Sequence, residues 1–257
     1  MDAIVLAGGV PKPGEPLYEV TQGKPKALLD VAGQPMLQWV LNALDGAASV
    51  DRIIIVGLPE DVPIHSAKPL HFLPSQGHMV NNILAGADVI MHNNPQAELA
   101  FVVSADIPAI TAPMVDWLAA QVTPGTVDAC YTIVQRHVME KRYPESRRSY
   151  TRLKDMTVCG GDINLFRPAL AHSNTEFWDR VIEARKNVFK QAALVGYDTL
   201  VLLLMRQLSL DAALQRICRR LKIRGRAIIS PYAEMGMDVD KPFQLDIIRA
   251  DLAARQA

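Results

Sequence analysis

The sequence predicts a three-layer α/β domain with a mostly parallel, Rossmann-like sheet and a helical insertion before the last strand and helix. Apolar runs of strand length alternate with helical patterns through the first half of the chain, the order that builds parallel sheets. Several of these runs, such as 53–56, are apolar throughout, as in strands covered on both faces. The chain has 257 residues, of which 49% are hydrophobic, so it can bury a large core.

Each element has its own local signal. The first strand breaks at Gly8-Gly9, the second is closed by Gly57 and Pro59, and Thr111 can cap a helix. In chain order, the predicted strands are 3–7, 53–56, 71–73, 101–103 and 130–134, and the helices between them are 36–44, 80–91 and 111–117. Residues 157–166 read as strand, Gly160-Gly161 turn, strand. A strand at 226–229 and a helix at 242–254 end the chain.

We expect one domain over residues 1–257, with a helical insertion at 175–222 inside it. The insertion reads as several helices broken near Gly196 and Ser209. Its end is crowded with arginine and lysine. A helical pair packed on the core with a solvated basic face is the simple interpretation. The alternatives are a lid or a self-association surface, and the latter would imply a homodimer.

Composition excludes several classes of protein. The formal net charge is zero, which argues against a dedicated nucleic-acid binder. The three cysteines lack CxxC or metal-type spacing, and neither a signal peptide nor a run of transmembrane length is visible. We therefore expect a cytoplasmic protein. The six histidines form no HxxxH or HExxH pattern, and no nucleophile elbow is present.

The strand that ends in Gly8-Gly9 indicates an anion site. Glycines let backbone N–H groups approach an anion closely, and Lys24 and Lys26 downstream can neutralise it. That combination suits a polyphosphate. Two glycines after a strand are, however, more often an ordinary turn.

Carboxylates follow two further predicted strands. Asp106 comes directly after the apolar run 101–103, where a Mg²⁺ bridging phosphate oxygens would lie. Asp238 and Asp240 precede the last helix, and one of them could complete the site. The alternatives are a turn-forming aspartate at 106 and a helix cap at 240.

The segments Leu6-Ala7-Gly8-Gly9, Lys24-Pro25-Lys26-Ala27-Leu28-Leu29 and Val31-Ala32-Gly33-Gln34-Pro35 resemble the signature of the nucleotidyltransferase superfamily, which includes the MobA-like and sugar-1-phosphate nucleotidyltransferases. The resemblance implies that Leu6, Ala7, Gly8 and Gly9 wrap a nucleoside triphosphate and that Lys26 contacts phosphate. The family loop usually carries an arginine a few residues after the glycines. Here Lys12 is the only basic residue at that point, and the loop is longer.

The resemblance also implies roles elsewhere. Asp106 would bind Mg²⁺ as a catalytic residue together with Lys26, and Asp240, or second Asp238, would complete the metal site. Gly77 and Asn81 would read the nucleobase. The acceptor substrate would face a turn that consists of Gly160, Gly161, Asp162 and Asn164.

The implied activity is Mg²⁺-dependent transfer of a nucleoside monophosphate from an NTP to a phosphorylated small-molecule acceptor. A sugar-1-phosphate nucleotidyltransferase differs only in its acceptor. A glycosyltransferase would normally show Asp-x-Asp after the middle strand, where Ser104-Ala105-Asp106 stands. A non-catalytic nucleotide-binding module would bind an NTP without turnover.

Overall fold

A large mixed sheet forms the centre of the molecule in the computed structural model, which describes residues 1–173, 178 and 196–256. Its strands are β1 (Asp2–Leu6), β4 (Arg52–Val56), β5 (Leu70–Leu73), β6 (Ala100–Ser104), β7 (Ala129–Gln135), β8 (Thr151–Arg152), β9 (Thr157–Gly160), β10 (Ile163–Phe166) and β11 (Gly225–Ser230). A small hairpin pairs β2 (Asp30–Val31) with β3 (Gln34–Pro35). All five strands predicted in the first half of the chain are present.

The four strands β5–β4–β1–β6 are neighbours and run parallel. β10 then pairs antiparallel with β6 and with β7, and β11 pairs parallel with β7 on its far side. Within the described residues of the main sheet, only β9 and β10 run against the common direction. The mostly parallel sheet predicted from the sequence is therefore confirmed.

The segment 157–166 corrects one prediction. Among the described strands, β9 and β10 do not pair with each other, because both lie beside β7. Gly161 and Asp162 form a kink between them rather than a hairpin turn. The Gly161 N–H donates to Thr132 O at 2.8 Å, which holds the chain along β7. The predicted turn at Gly160-Gly161 is wrong, since the chain does not fold back there.

Helices cover both faces of the sheet. Those in the described part of the chain are α1 (Tyr18–Thr21), α2 (Met36–Gly46), α3 (Met79–Asn93), α4 (Ala112–Ala120), α5 (Arg136–Arg142), α6 (Leu170–Ser173), α7 (Tyr197–Leu204), α8 (Leu210–Leu221) and α9 (Pro242–Gln256). Consecutive β1 side chains point to opposite faces. Val5 joins the core cluster that includes α2 and α4 residues, and Ile4 joins the cluster that includes α3 residues. The apolar run of β1 is thus buried on both sides.

The predicted helical insertion is partly described. α7 and α8 lie between β10 and β11, with Gly196 and Ser209 at their N-caps, as the sequence indicated. The Ser209 side chain accepts a hydrogen bond from Ala212 N. The rest of the insertion, at 175–177 and 179–195, lies outside the described residues. Within the described part of the chain, no helix is long and apolar enough to cross a membrane.

Candidate active site

The glycine loop, which comprises Leu6, Ala7, Gly8 and Gly9, begins at the last residue of β1 at the carboxyl edge of the sheet. Ala7 N–H donates to Val56 O at 2.9 Å, which ties the loop to β4. Gly8 then lies against Gly57, where a Cβ would stand 2.3 Å from the Gly8 Cα. Gly57 also has a φ of +108°. Position 57 therefore needs glycine for both the close approach and the backbone angle.

Replacing Gly57 with alanine is expected to displace the glycine loop and to raise KM for the NTP severalfold. Gly33→Ala is the matched control, because Gly33 also has a positive φ (+90°) but an added Cβ meets nothing within 4 Å. Left-handed strain alone costs about 1–2 kcal/mol, so Gly33→Ala should lower the free energy of unfolding by that amount at unchanged KM. Urea unfolding and NTP titration kinetics check both variants. Equal KM values in the two would contradict the role of Gly57.

Lys26 is anchored to the glycine loop and points to two carboxylates. Its backbone N–H donates to Gly9 O at 2.8 Å at the start of a 3₁₀ turn, Lys26–Leu28. Its Nζ donates to Asp106 Oδ2 at 2.5 Å and to Asp240 Oδ1 at 2.7 Å. The structure thus brings together three residues that the sequence assigned to one site.

Backbone contacts place the two carboxylates. Asp106 follows β6, and its carbonyl accepts a hydrogen bond from Val239 N at 3.0 Å. The backbone N–H of Asp240 donates to Gln244 Oε1 at 3.0 Å, so α9 holds the segment that carries Asp240. Burial by itself would lower the pKa of Lys26, but the charges of Asp106 and Asp240 and their hydrogen bonds outweigh it. The pKa of Lys26 is raised, and the lysine is cationic at neutral pH.

The carboxylates fit the donor set of a magnesium ion. Asp106 Oδ1 is buried and has no hydrogen-bond partner among the described residues, so it is free to accept a cation. Asp240 is 58% exposed. Among the described residues no cluster of three or more His, Cys, Asp or Glu is placed to hold a metal. Mg²⁺ usually takes one or two carboxylates and completes its shell with water and substrate phosphate oxygens.

A cleft of about 290 Å³ opens beside these residues. It lies where β1 and β6 end, the edge at which open α/β sheets bind ligands. Its lining residues are Leu6, Ala7, Gly8, Gly9, Lys26, Ala27, Ser75, Gly77, His78, Met79, Asn82, Ser104, Ala105 and Asp106. The four glycine-loop residues and Gly77, which the sequence assigned to nucleotide binding, thus line this cleft. Ser75, His78, Asn82 and Ser104 are additional.

Asn82, and not the Asn81 suggested by the sequence, lines this cleft. α3 begins at Met79, so Asn82 lies on the same helix face as Gly86 and Ile90, one turn apart. Its Oδ1 accepts a hydrogen bond from Gln76 N at 2.7 Å. Asn81 is half-buried one position away and is not part of the lining. The sequence placed an amide here but could not fix the helix start on which the choice depends.

Lys12 does not reach the cleft in this structure. It lies in an exposed turn, where its backbone N–H donates to Glu15 Oε2 at 2.8 Å. It is not among the residues that line this cleft or a second one beside it. Its assignment as a triphosphate ligand therefore has no geometric support here.

A second group of charges surrounds Arg148, which is 14% exposed. Arg148 forms an ion pair with Asp238 and lies 3.8 Å from Asp162 Oδ2. Asp238 thus faces an arginine, whereas Asp240 faces Lys26, so Asp240 is the better metal candidate of the two. Burial and the nearby charge of Asp106 raise the pKa of Asp162 to about 7.

This raised pKa gives a testable pH dependence. A folded-state pKa of about 7 against an ordinary 3.8 means that the native state binds the proton more tightly than the unfolded state. Asp162 therefore destabilises the fold progressively as pH rises from about 4 to about 7. In Asp162→Asn that decline is removed, so the variant should gain thermal stability over wild type between pH 5 and pH 7.5. The exposed Asp61→Asn is the control, and a pH-independent difference for Asp162→Asn would contradict the assignment.

The other residues predicted to face the acceptor are held by β7. A Cβ on Gly160 would collide with the Tyr131 hydroxyl, and one on Gly161 would crowd Thr132. Asn164 Oδ1 accepts from Thr132 N at 2.8 Å, and its Nδ2 donates to Gly161 O at 3.2 Å. The Asn164 amide therefore bridges the strand kink, and its contact with an acceptor stays a prediction.

Together the glycine loop, the cationic lysine and the two carboxylates lie at one carboxyl edge of the sheet, in the arrangement that the resemblance to the nucleotidyltransferase superfamily predicted. The family model of the MobA-like NTP transferase domain matches residues 3–224. The chain belongs to this family, and the resemblance seen in the sequence is confirmed.

Solved structures agree with this assignment. A hypothetical transferase from Thermus thermophilus is 31% identical, with a TM-score of 0.81 over 95% of this chain and 98% of that one. The CMP:2-keto-3-deoxy-manno-octonic acid synthetase complexed with CTP has 15% identity and a TM-score of 0.58, covering 99% and 98%. The 4-diphosphocytidyl-2C-methyl-D-erythritol synthase from Anaerococcus prevotii has 12% identity and a TM-score of 0.59, covering 98% and 97%. The last two show a shared fold.

Proposed function

We propose that this protein transfers a nucleoside monophosphate from an NTP to a phosphorylated small-molecule acceptor and releases pyrophosphate. The observation that supports this most directly is the contact of Lys26 Nζ with both Asp106 and Asp240 beside the glycine-lined cleft. A lone glycine loop would support binding of many anions. Here two carboxylates are also present that can hold a metal, and a lysine between them that can neutralise a reacting phosphate.

The chain's own residues act by alignment and charge. Gly8 and Gly9 allow backbone N–H groups to approach the triphosphate closely. Lys26 donates to oxygens of the α-phosphate as negative charge builds there. Mg²⁺ bound by Asp106 and Asp240 would supply further positive charge to the phosphate oxygens. An acceptor phosphate carries its own negative charge near pH 7, so no side chain has to remove a proton.

The acceptor would approach from the side of the strand kink. Asp162 lies close enough to Asp106 and Asp240 for their charges to raise its pKa, so the kink and the proposed metal site face one another. Arg148 is the cation nearest to the kink in the ion pairs of this region. Asp162 can accept a hydrogen bond from an acceptor hydroxyl, and Arg148 can bind an acceptor phosphate.

The test is a pyrophosphate-release screen that crosses the four NTPs with a panel of phosphorylated acceptors, sugar 1-phosphates included. Release that requires an NTP, an acceptor and Mg²⁺ together supports the proposal, and the productive acceptor separates a sugar-1-phosphate nucleotidyltransferase from other members. The controls omit the acceptor or add EDTA. Tight NTP binding without turnover across the panel would favour a non-catalytic nucleotide-binding module instead.

A further inference from the structure

A second cleft, of about 490 Å³, adjoins the nucleotide cleft. The two share Gly9 and Lys26, so their walls meet at the proposed reacting phosphate. The second cleft is lined by Gly9, Val10, Pro11, Glu15, Pro16, Leu17, Lys26, Asp240 and Lys241. A Cβ on Gly9 would meet nothing within 4 Å, so the backbone here is open to a ligand.

The charges around this cleft do not favour an anion without a further cation. Lys26 carries one positive charge and is shared by Asp106 and Asp240. The three groups together are therefore negative by about one charge. Glu15 adds another carboxylate to the lining. Mg²⁺ held by Asp106 and Asp240 would offset this charge at the α-phosphate. The terminal phosphates of an NTP are themselves strongly anionic, so a further cation in the second cleft would offset their repulsion from Glu15.

Lys241 is the basic residue that the fold places there. Lys12 and Lys24 follow the glycine loop in the sequence, but neither of them lines either cleft. Lys241 lines the second cleft. Among the described residues its ammonium forms no ion pair with a carboxylate, and its Nζ lies 5.9 Å from the centroid of the Phe243 ring.

Rigid contacts hold the backbone next to Lys241. Asp240 N–H donates to Gln244 Oε1, and Val239 N–H donates to Asp106 O. Lys241 is thus one residue from a proposed metal ligand and at the start of α9. The backbone of Lys241 is held in place, while its ammonium is a point charge at the end of a flexible side chain. Such a group can bind an anion and then release it.

We propose that Lys241 binds the β- and γ-phosphates of the NTP, and then the pyrophosphate, in the second cleft. This rests on the proposed function. In the transfer, an acceptor phosphate oxygen bonds to the α-phosphorus. The bond from that phosphorus to the bridging oxygen breaks, and its electron pair leaves with the pyrophosphate. Lys241 takes the place of the basic loop residue, for which the sequence offered Lys12.

The test measures binding without turnover. Inorganic pyrophosphate, an NTP and the matching NMP are titrated by calorimetry into wild type, Lys241→Ala, Lys241→Arg and Lys12→Ala, all with Mg²⁺. Loss of a charge-assisted contact should weaken pyrophosphate and NTP binding about tenfold or more in Lys241→Ala. NMP binding should stay within twofold, Lys241→Arg should recover most of the affinity, and Lys12→Ala should match wild type.

The outcomes separate this inference from the proposed function. Full pyrophosphate affinity in Lys241→Ala, or the larger loss in Lys12→Ala, would overturn the role of Lys241 even if wild type is an active transferase. A selective loss in Lys241→Ala would uphold it even if no acceptor supports turnover. Wild type that binds neither NTP nor pyrophosphate would overturn both. Thermal melting confirms that each variant is folded, and Lys241→Gln serves as a second uncharged variant.

Discussion

Asp106→Asn is expected to lower kcat on the order of a thousandfold, about 4 kcal/mol of transition-state stabilisation. The substitution keeps the size of the side chain and leaves an oxygen that can accept from Lys26. It removes the negative charge of a carboxylate whose Oδ1 atom is buried without a hydrogen-bond partner among the described residues. Initial rates of pyrophosphate release over a range of Mg²⁺ concentrations measure the effect.

Asp238→Asn is the matched control for that experiment. Asp238 is the other aspartate considered for the metal site, but it pairs with Arg148. We expect it to retain a far larger share of wild-type kcat than Asp106→Asn and to keep the wild-type Mg²⁺ dependence. A near-normal rate in Asp106→Asn, or a greater loss in Asp238→Asn, would place the metal elsewhere. Thermal melting shows whether either variant has lost its fold.

The second large effect is expected for Lys26→Ala, which should reduce kcat/KM by about 10²–10³-fold. That is the usual loss when one donor to a developing phosphate or oxyanion charge is removed. The variant also leaves Asp106 and Asp240 facing each other without the ammonium that now joins them. The anionic substrate would then meet two carboxylates whose charge only the proposed Mg²⁺ would offset.

Lys24→Ala is the comparison for Lys26→Ala. Lys24 is exposed and does not line either cleft, so its removal should change kcat/KM no more than about twofold, the effect of a screened surface charge. Steady-state kinetics of both variants at one salt concentration decide the matter. If Lys24→Ala were the more damaging change, the phosphate contact would have been assigned to the wrong lysine.

The parallel core could be predicted from the sequence because its strands are apolar on both faces. Runs such as 53–56 have few other interpretations in a chain of this composition. The strand kink could not be predicted in this way, since Gly160-Gly161 suits a hairpin equally well. Its geometry is decided by distant backbone groups: Asp162 N–H donates to Met235 O, and Ser104 N–H donates to Asp162 O, both at 2.8 Å.

The candidate site was predictable where a residue type stands next to a recognisable strand end. Asp106 was assigned because it directly follows an apolar strand, Lys26 and Asp240 were assigned through the resemblance to the nucleotidyltransferase superfamily, and all three lie together. Gly57 and Lys241 were not assigned, because their importance depends on which backbone or cleft lies opposite. Gly57 faces Gly8 only because β4 pairs with β1, and no local pattern in the sequence expresses that pairing.

The hydrogen bond from Lys26 to Asp240 joins residues 214 positions apart, and this separation sets when the site can form during protein synthesis. A nascent chain that has emerged only as far as Asp106 carries the glycine loop, Lys26 and Asp106, but not Asp240. At about 5–20 residues per second, the interval between the two partners is roughly 10–40 s. Chains terminated before residue 240 would therefore lack half of the proposed metal site, which would be complete only after Asp240 has been synthesised.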